Sequence, residues 1–352
     1  MAHRLGSRGR PRPRLLHPLV ALALLVAACG GGSTTASPSG AGGSPGAGAA
    51  SASPGALSGS ITLYTTVTQA TVDAVVAGWN AVAPGVRVDV FRAPTAQVAA
   101  RIAADLARGS VRADVLWLTD PLSMQGYAGQ GLLLKWTPAG AAGIKPAYQT
   151  DTYVGTRLLN MVLVKGAGVG AEFADWNDLT AAPYRGAAAL PDPGFAGSAF
   201  AALGYFSAAP GYGLPYFQKL KDNGATQVAS PDDVTTGVAE GRFKVGMTLD
   251  NLTRAAVAKG SPIQLVWPTS GAIAIYSPIA VVASSTQTDA AKAFEEFTLS
   301  AGGQSAIADT GWQPILGPGG PQPGGPEVSP DWTTLYGSQQ ALLDSYRAIF
   351  GQ

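Results

Sequence analysis

The run Ser60-Ile61-Thr62-Leu63-Tyr64-Thr65-Thr66 alternates apolar and polar residues, as a half-buried β-strand does. Four segments follow it in order: a helix at 70–83, a strand at 86–90, a helix at 95–109 and a strand at 113–118. Each helix carries apolar residues at intervals of three and four along one face. A β-α-β-α-β order predicts an α/β layer with a parallel sheet, because each helix returns the chain to the same sheet edge.

The rest of the chain continues as a mixture of strands and helices. Strands are predicted at 158–164, 187–190, 243–249, 263–267 and 272–283. Helices are predicted at 121–131, 198–207, 213–224, 231–241, 251–259, 288–301 and 338–349. The Gly- and Pro-rich segment 316–326 is irregular. No internal repeat is found at the periods that solenoid proteins use.

The composition of the 352 residues is not uniform along the chain. Residues 30–57 contain no charged and no aromatic residue and consist almost entirely of Gly, Ala, Ser, Pro and Thr. Such a segment cannot bury enough apolar surface to offset its ordering entropy, so it is predicted to be a flexible tether. The remaining residues, about 295, are enough for two lobes with their own cores.

The N-terminus has the pattern of an export signal. Residues 1–14 are basic and residues 15–28 are mostly apolar, a length too short to span a bilayer as a helix. The following Val26-Ala27-Ala28-Cys29 resembles the bacterial lipobox, in which the cysteine is lipidated and becomes the mature N-terminus. We therefore expect a signal peptide at 1–28, lipidation of Cys29 and a tether at 29–57 that holds the body at the outer face of the cell membrane. The alternative is an ordinary cleavable signal with a chance cysteine.

Charge and residue types exclude several functions. Without the first fourteen residues the chain has 18 basic and 22 acidic residues and no long basic run, which argues against a nucleic-acid partner. The two histidines, His3 and His17, and the single cysteine, Cys29, all precede the body. The body therefore has no Ser-His-Asp triad, no cysteine nucleophile, no disulfide and no His- or Cys-ligated zinc site. We expect neither catalysis nor a cofactor.

The order of short motifs resembles that of a known family of proteins. The motifs are Tyr64-Thr65-Thr66, Gly131-Leu132-Leu133, Trp176-Asn177-Asp178-Leu179, Tyr184-Arg185-Gly186, Asp192-Pro193, Gly197-Ser198, Trp267-Pro268 and Gly311-Trp312-Gln313-Pro314-Ile315. Each is weak alone, but together they cover about residues 60–316 in the order found in bacterial extracellular solute-binding proteins of ABC transporters. The resemblance is to the ferric-iron, phosphonate, thiamine and polyamine group.

This resemblance implies a two-lobed α/β fold of the type II periplasmic binding proteins. Two crossing hinge strands would join the lobes, with the ligand cleft between them. Lobe one would comprise 58–160 plus 275–352, and lobe two 161–274. The implied function is capture of a small-molecule solute by a monomer and its delivery to an ABC permease in the membrane.

Candidate ligand-binding residues follow from the rule that ligands of open α/β sheets sit beyond the carboxyl ends of the strands, where helices begin. Helix N-termini there present unpaired N–H groups and a positive partial charge. The candidates are Thr66, Thr68, Thr95, Thr119, Asp120, Ser198, Asp250, Asn251 and Tyr276. For any one Thr, Ser, Asp or Asn, a helix cap alone is the commoner explanation, and only their joint placement on one rim favours a binding role. Tyr276, Tyr153 and Arg157, near the expected hinge, could face the cleft or serve packing only.

The ligand itself is left open by the sequence. In the ferric-binding members, iron is held by a histidine, a glutamate and two adjacent tyrosines; those positions fall on Thr68, near Thr119 and near Leu252-Thr253 here, which argues against the usual iron site. A different oxygen cluster of Asp120, Asp250 and Tyr276 remains an alternative. A small organic anion such as a phosphonate or sugar phosphate is favoured, helped by Arg157 or Arg254, over a cationic solute such as a polyamine. A ligand sensor of the same fold and, more remotely, a carboxylate-based glycosidase are the other functions considered.

Overall fold

The computed structural model describes residues 57–333, 335 and 339–351. The expected signal peptide at 1–28, Cys29 and the expected tether, apart from Leu57, lie outside these residues. Within the described ranges, no helix combines the length and the apolar character needed to cross a membrane.

The first part of the chain forms the predicted β-α-β-α-β layer. Its elements are β1 (Gly59–Thr65), α1 (Gln69–Val82), β2 (Val86–Arg92), α2 (Thr95–Leu106), β3 (Val115–Trp117) and α3 (Pro121–Gly129). Strand β1 lies between β2 and β3 and runs parallel to both. The layer is held by the apolar face of β1, where Ile61 and Leu63 are fully buried, and by Trp79 of α1. Burial of such side chains is the main driving force for this packing.

Two long strands run through the middle of the sheet. They are β4 (Val154–Gly166) and β9 (Ala272–Val281), which pair antiparallel with each other. Every residue of β9 and all but the last residue of β4 are buried. The sequence predicted only 158–164 of β4, because the small and polar residues at 155–157 interrupt the apolar pattern.

The second part of the chain builds the other side of the sheet. Its elements are β5 (Ala188–Pro191), α4 (Gly197–Ala208), α5 (Leu214–Asp222), β6 (Thr226–Val228), α6 (Pro231–Ala239), β7 (Val245–Leu249), α7 (Asp250–Ala258) and β8 (Ile263–Val266). Strand β5 is parallel to β6 and β7, and β7 pairs antiparallel with β4. The strand order is β2-β1-β3-β9-β4-β7-β5-β6, so three parallel strands stand on each side of the β9–β4 pair. This is the expected two-lobed α/β architecture.

The last part of the chain differs from the sequence prediction. It contains α8 (Thr288–Leu299), α9 (Ala301–Asp309), the short strands β10 (Gln313–Pro314) and β11 (Glu327–Val328), and α10 (Gln339–Phe350). The single helix predicted at 288–301 ends at Leu299, because Ser300 takes an extended conformation and its hydroxyl accepts a hydrogen bond from the Gly303 amide. Ser300 is thus the N-cap of a separate helix, α9.

Helix α10 packs against α5, an element of the expected lobe two. The Tyr346 ring lies 5.2 Å from the Phe217 ring, and the Gln227 side-chain amide donates to the Tyr346 hydroxyl at 2.8 Å. Lys221 donates to the Phe350 carbonyl oxygen at 3.3 Å. Helix α10, in the segment 275–352 that was expected with lobe one, therefore contacts an element of the expected lobe two. The physical reason is the aromatic face of α5, which matches the aromatic end of α10.

Candidate functional site

A cavity of about 430 Å³ lies where the carboxyl ends of the two sets of parallel strands face each other. The connection after each of the six parallel strands contributes to its wall. The lining residues are Thr66, Thr68, Arg92, Pro94, Thr95, Thr119, Arg157, Leu159, Phe195, Ala196, Gly197, Ser198, Ser230, Pro231, Asp232, Leu249, Leu252 and Trp312. The position follows the rule that ligands of open α/β sheets bind beyond the carboxyl ends of the strands.

Five of the nine predicted site residues line this cavity, namely Thr66, Thr68, Thr95, Thr119 and Ser198. The Thr66 hydroxyl accepts a hydrogen bond from the Thr119 amide at 2.8 Å and donates to the Thr119 hydroxyl at 3.1 Å, which ties together the loops after β1 and β3. The hydroxyls of Thr95 and Ser198 make no hydrogen bond to any described residue. These two hydroxyls are therefore available to a solute.

Asp120 lies behind the cavity wall rather than in it. Its side chain is fully buried and caps α3, accepting from the Ser123 amide at 2.7 Å through Oδ1. Its Oδ2 has no hydrogen-bond partner among the described residues and lies 2.5 Å from the point where a Cβ on Gly197 would stand. Burial raises the pKa of Asp120 to about 6.

Three more predicted site residues are not among those that line the cavity. Asp250 begins α7, is buried and forms an ion pair with Arg254 at 3.4 Å. Burial raises the pKa of Asp250, and Arg254 opposes that rise. Asn251 follows it on the same helix. Tyr276 packs on Tyr148 with ring centroids 5.4 Å apart. In the β4–β9 pair, Tyr276 stands opposite Leu158, whereas Arg157 stands opposite Ser277. Because successive residues of a strand point to opposite faces, the Tyr276 side chain lies on the face of the pair away from Arg157.

Five helices begin at the cavity. Its lining includes the N-cap or a first-turn residue of α1, α2, α4, α6 and α7. The first N–H groups of a helix have no partner within the helix, and the helix dipole places a positive partial charge there. Together the five N-termini make the cavity a favourable environment for a negatively charged group.

Arg157 is the lining residue that the sequence left undecided. It is fully buried on β4, and its guanidinium lies 4.2 Å from the centroid of the Trp312 ring. Its Nε, Nη1 and Nη2 have no hydrogen-bond partner in the described part of the chain, and burial lowers its pKa to about 9. A signal existed in the sequence, because an arginine directly before the apolar run 158–164 interrupts a strand that is otherwise built for burial.

Other charges at the cavity are few. Arg92 donates through Nε to the Val67 carbonyl oxygen at 3.1 Å, and Asp232 is the acidic lining residue. Among the described residues, no three His, Cys, Asp or Glu side chains come together to hold a metal ion. The donor set is therefore one of hydroxyls, helix N-termini and arginine, which suits an oxyanion better than a metal ion.

Comparisons with known proteins identify a family model and solved structures with the same fold. The family model described as bacterial extracellular solute-binding protein matches residues 61–313. Comparison with curated protein sequences gives no significant match. Among solved structures, iron-bound HitA from Pseudomonas aeruginosa is similar with a TM-score of 0.72 at 20% identity, covering 82% of this chain and 99% of that one.

Two further structures illustrate the range of solutes in proteins of this fold. AfuA from Actinobacillus pleuropneumoniae, with exogenous fructose-6-phosphate bound, has a TM-score of 0.67 at 18% identity, covering 83% of this chain and 96% of that one. A periplasmic thiamin binding protein has a TM-score of 0.72 at 16% identity, covering 84% of this chain and 98% of that one. At these identities the likeness concerns the fold.

Proposed function

Because the chain belongs to the bacterial extracellular solute-binding proteins, we propose that it captures a small organic anion, such as a phosphonate or a sugar phosphate, for an ABC importer. The single observation that carries the choice of an anion is the set of five helix N-termini at one cavity. A cationic solute would need carboxylates in the wall, where Asp232 is offset by Arg92 and Arg157. The cavity volume of about 430 Å³ suits a solute of this size class.

In this proposal, Thr66, Thr68, Thr95, Thr119 and Ser198 contact the solute from the two lobes. Lobe one comprises the β1–β3 side and lobe two the β5–β7 side, and β4 and β9 act as the hinge. Solute binding stabilises the closed arrangement, which docks as a monomer on the permease. The protein acts by binding and carries out no catalysis.

We also propose that the mature protein is a lipoprotein, anchored at the outer face of the cell membrane through acylated Cys29. The support is the lipobox-like Val26-Ala27-Ala28-Cys29 after a short apolar segment. Cys29→Ser should abolish incorporation of labelled palmitate in a bacterial host and release the body from the membrane fraction. Labelling that persists in this variant would contradict the proposal.

Thermal unfolding of residues 57–352 against a solute panel tests the binding function. The panel contains inorganic phosphate, methylphosphonate, fructose 6-phosphate, spermidine, thiamine and ferric citrate. A solute at a hundred times its dissociation constant stabilises the folded state by about 2.7 kcal/mol, which raises the midpoint by several degrees. A saturable shift with phosphonate or sugar phosphate is expected. A shift with spermidine, thiamine or iron alone would refute the anion, and no shift at all would favour the sensor alternative.

Two hydroxyls provide the residue-level test of the same site. Thr95→Val and Ser198→Ala remove groups that have no hydrogen-bond partner among the described residues, so each should weaken binding about tenfold while leaving the unfolding midpoint nearly unchanged. Thr180→Val is the control, because the Thr180 hydroxyl is exposed and bonds only within its own turn, to the Asn177 carbonyl oxygen. Unchanged affinity in both cavity variants would show that the solute does not contact this wall.

A further inference from the structure

Arg157 is a buried cation for which the protein supplies no counter-charge. None of its three side-chain nitrogens has a hydrogen-bond partner among the residues described, and no carboxylate in that part of the chain approaches within ion-pair distance. Burial alone accounts for its lowered pKa. The side chain is nonetheless part of the cavity wall.

An arrangement of this kind is unfavourable for the solute-free protein. Removing a charged group from water without pairing it costs several kcal/mol. Most buried ionisable groups can lose their charge instead, but a guanidinium keeps its proton at neutral pH. An anion that enters the cavity would balance the charge of Arg157 at neutral pH.

The contact with Trp312 determines what can enter. The indole lies against the guanidinium at 4.2 Å and occupies one face of it. The N–H groups lie in the plane of the guanidinium, so the Trp312 ring does not use them, and they are buried without a hydrogen-bond partner among the described residues. The edge of a guanidinium binds a carboxylate, phosphate or phosphonate through two parallel hydrogen bonds.

We propose that Arg157 is the residue that anchors the acidic group of the solute, stacked on Trp312 at the floor of the cavity. This inference rests on the proposed function, because it assumes an anionic solute, and it deepens that function by assigning the group that recognises the anion. The ligand class is an organic acid whose oxyanion accepts two hydrogen bonds from one guanidinium. The helix N-termini then supply the more diffuse part of the attraction.

An anchoring role and a structural role predict opposite effects on stability. If Arg157 serves the solute, Arg157→Met removes an uncompensated charge and replaces it with an apolar side chain of similar length. The unfolding midpoint of the solute-free protein should then rise by about 5 °C, while affinity for the anion that wild type binds should fall at least 100-fold. Arg157→Lys keeps the charge but loses the two-bond geometry and should weaken binding about tenfold.

Arg254→Met is the matched control, because Arg254 has a carboxylate partner and lies outside the cavity wall. Losing it leaves the buried Asp250 without its ion pair, so the unfolding midpoint should fall while the anion still binds. The measurements are calorimetric titration with fructose 6-phosphate and methylphosphonate, and thermal unfolding without solute.

The outcomes separate the anchor from the proposed function. If wild type binds an anion and Arg157→Met binds it equally well, or if Arg157→Met lowers the midpoint as Arg254→Met does, the anchoring role is wrong and the anion-binding function stands. If wild type binds no anion at all, the function proposed for the cavity fails and the anchor fails with it. If the unfolding midpoint rises in Arg157→Met and falls in Arg254→Met, and if only Arg157→Met loses anion binding, the anchoring role and the anion-binding function are both supported.

Discussion

At the scale of single residues, Asp120 is expected to lower stability at neutral pH. Its carboxyl is fully buried, and its pKa is raised from 3.8 to about 6, chiefly by burial. The folded state therefore binds more protons than the unfolded state between these values, and stability falls as the pH rises through this window. Asp120→Asn should stabilise the protein at pH 7 by on the order of 2–3 kcal/mol and have little effect near pH 4.

Urea unfolding at pH 4, 5, 6 and 7 measures this difference. Asparagine is an equally good N-cap, so its side-chain oxygen still accepts the hydrogen bond from the Ser123 amide in the first turn of α3. Asp73→Asn makes the same change in charge at an exposed position and is the control for the effect of net charge alone. A stabilisation of Asp120→Asn that is the same at all four pH values would contradict the argument.

At the scale of secondary-structure elements, the docking of α10 depends on Tyr346. The side chain is buried, its ring contacts Phe217, and its hydroxyl accepts from the Gln227 side-chain amide. Tyr346→Ala should destabilise the protein by about 3 kcal/mol and make α10 sensitive to limited proteolysis, because the buried ring packs on Phe217 of α5. Tyr346→Phe removes only the hydroxyl and should cost about 1 kcal/mol. Equal protease resistance of wild type and Tyr346→Ala would show that α10 is held by other contacts.

The local sequence pattern predicted some secondary-structure elements and missed others. Strand β1 was predicted to within one residue, because its alternating pattern places Ile61 and Leu63 on one buried face, although Tyr64 on the other face is buried as well. Helix α9 was not predicted, and the helix predicted at 288–301 runs two residues past the end of α8, since the Ser300 cap that separates the two helices is a single polar residue. The place of α10 depends on a partner more than 100 residues away, which no local pattern encodes.

The candidate site was predictable where its residues lie beyond the carboxyl ends of the parallel strands. Thr66, Thr68, Thr95, Thr119 and Ser198 were found because each comes just after a strand or at the start of a helix. Tyr276 was expected at the cleft, but its strand register turns it to the other face. Arg157 was left undecided, because its place before the apolar run 158–164 marks it as unusual, but its burial without a partner is a property of the folded chain.

At the scale of the whole molecule, Gly197 is a point of close approach between the two sides of the sheet at the cavity. It begins α4 on the β5–β7 side, whereas Thr95, Thr119 and Asp120 belong to the β1–β3 side. A Cβ on Gly197 would lie 2.9 Å from Thr95 Oγ1, 2.8 Å from Thr119 Oγ1 and 2.5 Å from Asp120 Oδ2. Real Cβ atoms essentially never approach other heavy atoms below 3.0 Å. The arrangement seen here therefore requires glycine at this position.

Gly197→Ala should hold the two halves apart by a small distance and so disfavour the closed arrangement that the proposed function assigns to the solute-bound protein. Affinity for the anion that wild type binds should fall tenfold or more. Part of the binding free energy would then be used to drive the unfavourable change from the open to the closed arrangement. Small-angle X-ray scattering should then show a smaller decrease in the radius of gyration on solute addition than in wild type. Gly168→Ala is the control, because a Cβ there meets no heavy atom within 4 Å. If Gly197→Ala binds the anion and becomes compact as wild type does, closure does not require the close approach of Gly197 to Thr119 and Asp120.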